Sequence, residues 1–154
     1  MSDFNFTPVQ NEMNDLFVGK EIARGTYRTV FQNALNDDLV VKIDTGTSKT
    51  FCNVIEWEMW HELKKSKWAQ WLAPCVAISY SGSVLIQKKT TPLRRMPLRL
   101  PSFFSDVKSE NFGMYRGRVV CHDYGNNSVF VLVKKNIRMM RVKDSDSPVH
   151  FDLY

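Results

Sequence analysis

Five short segments rich in apolar and β-branched residues, each bounded by turn residues, predict β-strands in the first part of the chain. Gly25-Thr26 lies between the first two segments and Ser81-Gly82 between the last two, so each pair is expected to form a hairpin. The pattern therefore predicts a five-stranded antiparallel sheet. Its strands occupy residues 16–23, 27–31, 39–43, 76–80 and 83–87.

Residues 51–65 follow a helical period instead, and they end with lysines, which the dipole of a helix favours at its C-terminus. Glu56 lies on the apolar face of this predicted helix, where a carboxylate needs a partner. Lys42 is similarly conspicuous, because it is the one charged residue of the third strand. Taken singly, each charge is better explained as a solvent-exposed residue, and only the later motifs reverse that preference.

The second part of the chain shows weaker patterning. Residues 88–103 contain several prolines and no regular period, so they are expected to form an extended connector between two subregions. Residues 113–122 predict a hairpin and residues 129–133 a further strand. The pattern of residues 136–142 fits either a helix or a strand, and residues 1–15 are left unassigned as an arm.

The composition is that of a protein with its own hydrophobic core. The chain has 154 residues, of which 44% are hydrophobic and 24% charged, which suits one compact unit. No apolar run approaches the length of a membrane span, and the N-terminus lacks the pattern of a secretory signal. Three separated cysteines, Cys52, Cys75 and Cys121, predict reduced thiols and a cytoplasmic location. The histidines have no zinc-ligand spacing with them.

The residues most suggestive of chemistry are the segment from Asp106 to Asn111 and the tripeptide Asp123-Tyr124-Gly125. The first segment spaces a carboxylate, a cation and an amide as Asp106, Lys108 and Asn111. Carboxylate and amide oxygens are hard ligands that suit Mg²⁺, and substrate phosphates can complete its shell. Asp and Asn also form turns beside hairpins, which explains each residue singly but not the ordered set. The spacing therefore favours metal-assisted phosphoryl transfer.

Taken in order, these residues and those of the first part resemble the motifs of the protein-kinase family. The resemblance covers about residues 16–127 and rests on Gly25, Val30, Lys42, Glu56, Asp106, Lys108, Asn111 and Asp123. It implies an α+β fold in which a kinase-like N-lobe, a five-stranded antiparallel sheet with one main helix, precedes a strongly truncated C-lobe. The implied domains are an N-terminal arm (1–15), the N-lobe (16–90) and the reduced C-lobe (91–154).

The resemblance also implies a nucleotide site for ATP. Lys42 would contact the phosphates and pair with Glu56, while the loop around Gly25 and the side chain of Val30 would cover the nucleotide. The base would meet backbone groups of the segment that follows the fifth strand, at Gln87, Lys88 and Lys89.

The same resemblance assigns the chemistry to the second part of the chain. Asp106 would orient the hydroxyl group of the acceptor, and Lys108 would steady the transferred phosphoryl group. Asn111 and Asp123 would hold Mg²⁺, the second cofactor that the resemblance implies.

The chain departs from the family pattern in several places. Gly25 is retained in the glycine-rich loop, but Arg28 stands where a further glycine is expected and restricts the loop. Phe104-Ser105 replaces the usual His-Arg pair, and neither an Ala-Pro-Glu motif nor room for peptide-binding helices follows Gly125. Such truncation resembles small kinase-like proteins of bacteriophages, which would place this protein in the host cytoplasm with a host protein as partner or substrate.

Three functions are open from the sequence. The first is an ATP- and Mg²⁺-dependent phosphotransferase with an unidentified acceptor, which the complete polar set favours. The second is a catalytically weak or inactive pseudokinase that binds and modulates a host enzyme, which the degraded loop and the missing substrate lobe favour. Nucleic-acid binding is ranked last. It rests on the net charge of +5 and on basic residues near two tryptophans: Lys88, Lys89, Arg94, Arg95, Arg99, Trp68 and Trp71.

Overall fold

The first part of the chain folds into a five-stranded antiparallel sheet with a long helix against it. A computed structural model describes residues 8–44, 51–127 and 129–143. The elements of this part are α1 (Pro8–Phe17), β1 (Val18–Arg24), β2 (Arg28–Asn33), β3 (Leu39–Asp44), α2 (Cys52–Leu63), β4 (Cys75–Ile78) and β5 (Val84–Lys88). The strands follow the order β1-β2-β3-β5-β4. The predicted sheet is therefore confirmed, and so is the helix, which ends two residues before its predicted end.

The first strand was predicted to begin at Leu16, and this start is wrong. Leu16 and Phe17 form the end of α1, and β1 begins at Val18. Both residues follow Met13 at helical spacing, so the same apolar side chains suit a helix as well as a strand. The arm that the sequence left unassigned is thus helical from Pro8 onward.

Short elements make up the second part of the chain. They are β6 (Thr91–Pro92), β7 (Arg99–Pro101), β8 (Phe112–Tyr115), β9 (Arg118–Cys121), α3 (Phe130–Val133) and β10 (Met139–Arg141), with a 3₁₀ turn at Ser109–Asn111. Another 3₁₀ turn, Lys67–Trp71, lies between α2 and β4 in the first part. The predicted hairpin is present as β8 and β9, and β6 adds a third strand beside β8. The connector is extended but carries two short strands, of which β7 pairs with β10. The undecided segment near residue 139 is therefore a strand.

The strand predicted for residues 129–133 is wrong, because this segment contains the short helix α3. Just before this helix, the side-chain oxygen of Asn127 accepts a hydrogen bond from the Phe130 N–H. Phe130 is buried, while Val131 and Leu132 are 69% and 82% exposed. The apolar run thus buries one helical face, which a short segment without alternation cannot reveal.

One hydrophobic core joins both parts of the chain. Met59 and Leu63 of α2 share it with Leu85 of β5, and Phe103 and Phe112 bring in the second part. The ring of Phe104 packs between these two phenylalanines, with centroids 4.5 and 5.4 Å away. These contacts fix both ends of the loop that carries Asp106. Among the described residues, no helix combines the length and hydropathy that crossing a bilayer requires.

Candidate functional site

A cavity of about 480 Å³ lies where the five-stranded sheet meets residues 106–126. Nearly all the residues predicted for the site line it: Gly25, Val30, Lys42, Gln87, Lys88, Lys89, Asp106, Lys108, Asn111 and Asp123. Glu56 lies directly behind this wall, in contact with Lys42. The fold therefore brings together side chains that are far apart in the sequence.

The ion pair predicted between Lys42 and Glu56 is present. The Lys42 ammonium lies 3.0 Å from Glu56 Oε2 and 3.2 Å from Oε1, and the two side chains are 3% and 0% exposed. Lys42 reaches this position because it sits within β3, opposite Val30 on one side and Leu85 on the other. A charge at the middle of a central strand is thus neutralised by the facing helix.

Glu56 also holds the Asp-Tyr-Gly segment. Its Oε1 accepts hydrogen bonds from the backbone N–H groups of Tyr124, at 2.9 Å, and Gly125, at 3.1 Å. A Cβ atom at Gly125 would lie 2.6 Å from the carbonyl oxygen of Cys52, so only glycine allows this close approach to α2. Lys42 adds a hydrogen bond to the carbonyl oxygen of His122. One carboxylate therefore organises β3, α2 and residues 122–125.

Arg28 is a buried residue of the cavity wall that the sequence analysis did not assign to the site. Its guanidinium contacts Glu56, lies 2.6 Å from Asp123 Oδ1, and donates to Asn53 Oδ1 at 3.1 Å. The side chain is only 7% exposed. A signal was available in the sequence, because Arg28 precedes Val30 by two residues and so shares its face of the strand. Val30 lies opposite Lys42, so Arg28 and Lys42 share one face of the sheet. Two cations so placed require more than one carboxylate.

Arg28, Lys42, Glu56 and Asp123 form one ionic network. Its charges determine the ionisation of the two carboxyl groups. Burial raises the pKa of Glu56, but Arg28 and Lys42 outweigh it, and the pKa is lowered. Burial likewise opposes ionisation of Asp123, and Lys42 and Arg28 again lower its pKa. Two cations therefore face two ionised carboxylates, and the network carries no net charge.

The loop that carries Asp106 is tied to the strand pair β8–β9 by Asn111. The side-chain amide of Asn111 donates to the Asp106 carbonyl oxygen at 3.0 Å. The backbone carbonyl oxygen of Asn111 accepts hydrogen bonds from the backbone N–H groups of His122, at 2.9 Å, and Asp123, at 3.3 Å. Lys108 is 64% exposed and lies 3.5 Å from the Asp106 carboxylate. Asp106 and Asp123 consequently reach the same cavity from adjacent segments.

The segment predicted to bind a base is partly engaged within the protein. Gln87 is fully buried, with its amide nitrogen 3.5 Å from Glu56 Oε2, and its oxygen has no hydrogen-bond partner among the described residues. The backbone N–H of Lys88 donates to Pro74 and that of Lys89 to Asp38, at 2.9 and 2.8 Å. A base at this edge would therefore use the remaining backbone groups of the segment.

Mg²⁺ fits the chemistry of the predicted ligands but not their arrangement. Asn111 and Asp123 offer the oxygen atoms that this ion prefers. Asp123 is paired with Arg28, however, and a divalent cation at this carboxylate would face the guanidinium charge. The described residues contain no group of three or more His, Cys, Asp or Glu side chains arranged to hold a metal.

Comparison with known proteins supplies no family for this chain. No protein-family model matches the sequence, and no curated protein matches it. A function for the cavity must therefore be inferred from its geometry and from the order of its residues.

Proposed function

We propose that the protein binds ATP in this cavity and transfers its γ-phosphoryl group to an acceptor. The observation that supports this most directly is the buried Lys42–Glu56 ion pair. The pair is hydrogen-bonded to residues 122–125, and Lys42 lines the same cavity as Asp106. The volume of about 480 Å³ suits a small-molecule site. Cations and apolar side chains both line it, as a nucleotide with charged phosphates and a flat base requires.

The arrangement of elements supports a kinase-like N-lobe. Lys42 lies on the third strand of a five-stranded antiparallel sheet, and Glu56 lies on the helix that follows this strand. These are the positions that the resemblance implies for the lysine at the phosphates and its partner. In this proposal Asp106 orients the acceptor hydroxyl, and Lys108 approaches the phosphoryl group from the solvent side.

The proposal is tested by measuring ATP binding to the full chain. Calorimetric titration of the wild type should give a saturable heat. Lys42→Met, which keeps the apolar length but removes the charge, should weaken binding by at least about tenfold. Lys135→Met is the matched control, because Lys135 is exposed and does not line the cavity. Circular dichroism checks that each variant is folded.

Two results would rule out an ATP site here. One is a wild type that shows no binding, and the other is a folded Lys42→Met variant that binds as tightly as Lys135→Met.

A pseudokinase is the second candidate, and the contact between Arg28 and Asp123 favours it. In this arrangement the carboxylate expected to hold the metal is already neutralised by a guanidinium group. A protein of this kind would bind the nucleotide without turnover and act on a partner, such as a host enzyme, through its surface. It is distinguished from the first candidate by ATP binding in the absence of any phosphoryl transfer.

A further inference from the structure

Arg28 is held in place more firmly than an arginine at the edge of a cavity would ordinarily be. Asn53, which accepts from Arg28 Nη1, is itself 1% exposed. Its amide nitrogen donates to the carbonyl oxygens of Lys42, Gly82 and Ser83, at 3.2, 3.0 and 3.0 Å. These bonds fix which atom of Asn53 faces Arg28. The guanidinium is therefore directed at Glu56 and Asp123 by a buried framework.

The charge balance among Lys42, Glu56 and Asp123 depends on Arg28. Without Arg28, the buried Lys42–Glu56 pair would be neutral and Asp123 would add an uncompensated negative charge. Such a carboxylate repels a triphosphate unless a cation stands between them, and a divalent ion is the usual one. With Arg28 present, Asp123 is neutralised at a distance of 2.6 Å, and its side chain is still half exposed toward solvent.

We propose that Arg28 takes the place of a divalent cation at Asp123, so that the cavity binds a nucleoside triphosphate without metal. The identity of the ligand rests on the proposed function, whereas the competition between Arg28 and a metal for Asp123 does not. Guanidinium groups suit this role because they stay charged at every physiological pH and bind carboxylate and phosphate oxygens alike.

Two consequences follow for the ligand. Because Arg28 already neutralises Asp123, no metal is needed to screen this carboxylate from the phosphates, so Mg²⁺ should not improve binding. If Arg28 loses its charge, Asp123 becomes an open carboxylate beside the phosphates. Binding should then require a divalent cation, which the freed carboxylate can hold.

The first measurement is a titration with ATP in Mg²⁺ and again in EDTA. For the wild type, the two dissociation constants should agree within about threefold. For Arg28→Gln, binding in EDTA should be at least about tenfold weaker than in Mg²⁺. Arg28→Lys retains a charge but has one nitrogen in place of the two through which Arg28 contacts Asn53, Glu56 and Asp123, so its metal dependence should fall between the two. A wild type whose affinity rises tenfold or more on adding Mg²⁺ overturns the proposal.

The second measurement needs no nucleotide. Binding of Mn²⁺ alone is followed by electron paramagnetic resonance, with Mn²⁺ as a spectroscopic substitute for Mg²⁺. Arg28→Gln should gain a bound ion that is lost again in the double variant Arg28→Gln/Asp123→Asn. The wild type and the single variant Asp123→Asn should bind Mn²⁺ equally, because Asp123 should hold no ion in the wild type. A wild type that binds Mn²⁺ through Asp123 overturns the proposal, and this comparison needs no Arg28 variant to fold.

The two measurements separate this inference from the proposed function. If the wild type binds no ATP but Arg28→Gln gains a Mn²⁺ site that depends on Asp123, the ATP site is wrong and the replacement of a metal by Arg28 is supported. If ATP binds and is strictly dependent on Mg²⁺ in the wild type, the ATP site is supported and the role of Arg28 is wrong.

Discussion

Glu56 is buried completely and yet ionised, because Lys42, Arg28 and the N–H groups of Tyr124 and Gly125 all donate to it. Removing water from a carboxylate is costly, and the cost is offset only while these donors remain in place. The polar cluster at the base of the cavity should therefore be sensitive to the loss of this one charge.

Replacing Glu56 by Gln should lower the free energy of unfolding by about 3–5 kcal/mol, because two buried cations then share only Asp123. Urea denaturation measures the change. Glu62→Gln is the matched control on the same helix. Its carboxylate is 47% exposed and pairs with Lys134, so the loss should be at most about 1 kcal/mol. Equal losses in the two variants would show that the buried network contributes nothing beyond a surface pair.

Stability should fall in two steps as the pH is lowered. The pKa of His122 is lowered from 6.5 by burial and by Lys42, so below pH 6.5 the unfolded chain takes up the proton first and stability declines. The pKa of Glu56 is lowered from 4.5, so its contribution is present above pH 4.5 and is lost as the pH falls through the lower folded value. Urea midpoints measured across this range test both steps.

Substitution of His122 should remove only the upper of these two steps. His122→Gln should abolish the decline that begins near pH 6.5 and keep the one at lower pH. His61→Gln is the control, since His61 is exposed, and it should retain both. Loss of the upper step in the His61 variant instead would contradict the assignment to His122.

Sequence patterns made Lys42 and Glu56 conspicuous as charges in an apolar strand and on an apolar helix face, but only the later motifs assigned them to the site. The patterns could place Arg28 on the same strand face as Val30 but could not predict its partner. Its partner Asp123 lies 95 residues further along the chain, and the contact depends on how the two parts of the protein pack. Position 28, where the family pattern expects a loop glycine, is thus the first residue of β2, and its arginine side chain enters the site.

At the level of elements, two glycines position the loops of the cavity for different reasons. Gly25 closes the β1–β2 turn by donating its N–H to the Arg28 carbonyl at 2.9 Å, and a Cβ there would meet nothing closer than 3.5 Å. Gly125, in contrast, lies against the backbone of α2, where a Cβ would be 2.6 Å from the Cys52 oxygen. Packing therefore does not require glycine at position 25, whereas it does require glycine at position 125.

Alanine substitutions should separate these two roles. Gly25→Ala should change the free energy of unfolding by less than about 0.5 kcal/mol but weaken ATP binding, because a methyl group limits approach of the loop to the phosphates. Gly125→Ala should cost about 1–3 kcal/mol in stability, since the backbone must move. Urea denaturation and ATP titration measure both. A Gly25 variant with unchanged ATP affinity would argue against a loop that covers phosphates.

The elements themselves differed in how well the sequence predicted them. The helix α2 was clear because its apolar face repeats over several turns, and the strands were clear because turn residues bound them. The run at residues 129–133 was misleading, since a few apolar residues fit a buried strand and a helix equally well. The hydrogen bond from the Phe130 N–H to the side chain of Asn127 is not visible as a period.

At the level of the whole molecule, the cavity exists only where the two parts of the chain meet. Arg28 and Lys42 reach across to residues 122–123, Leu72 forms a bridge with Cys121, and Phe103 completes the shared core. The order of the motifs along the sequence indicated that these residues belong together. Their distances follow from long-range packing, which periodicity and turn chemistry do not encode.

The most direct test of the proposed function is transfer of label from γ-labelled ATP by the full chain, in the presence of Mg²⁺, to itself or to an added acceptor protein. We expect label with the wild type and with the control Asp37→Asn, whose carboxylate is exposed and outside the cavity. Asp106→Ala and Asp123→Asn should both lose it, because one removes the group that orients the acceptor and the other releases Arg28. A folded wild type that binds ATP and transfers no label would contradict the phosphotransferase and leave the pseudokinase.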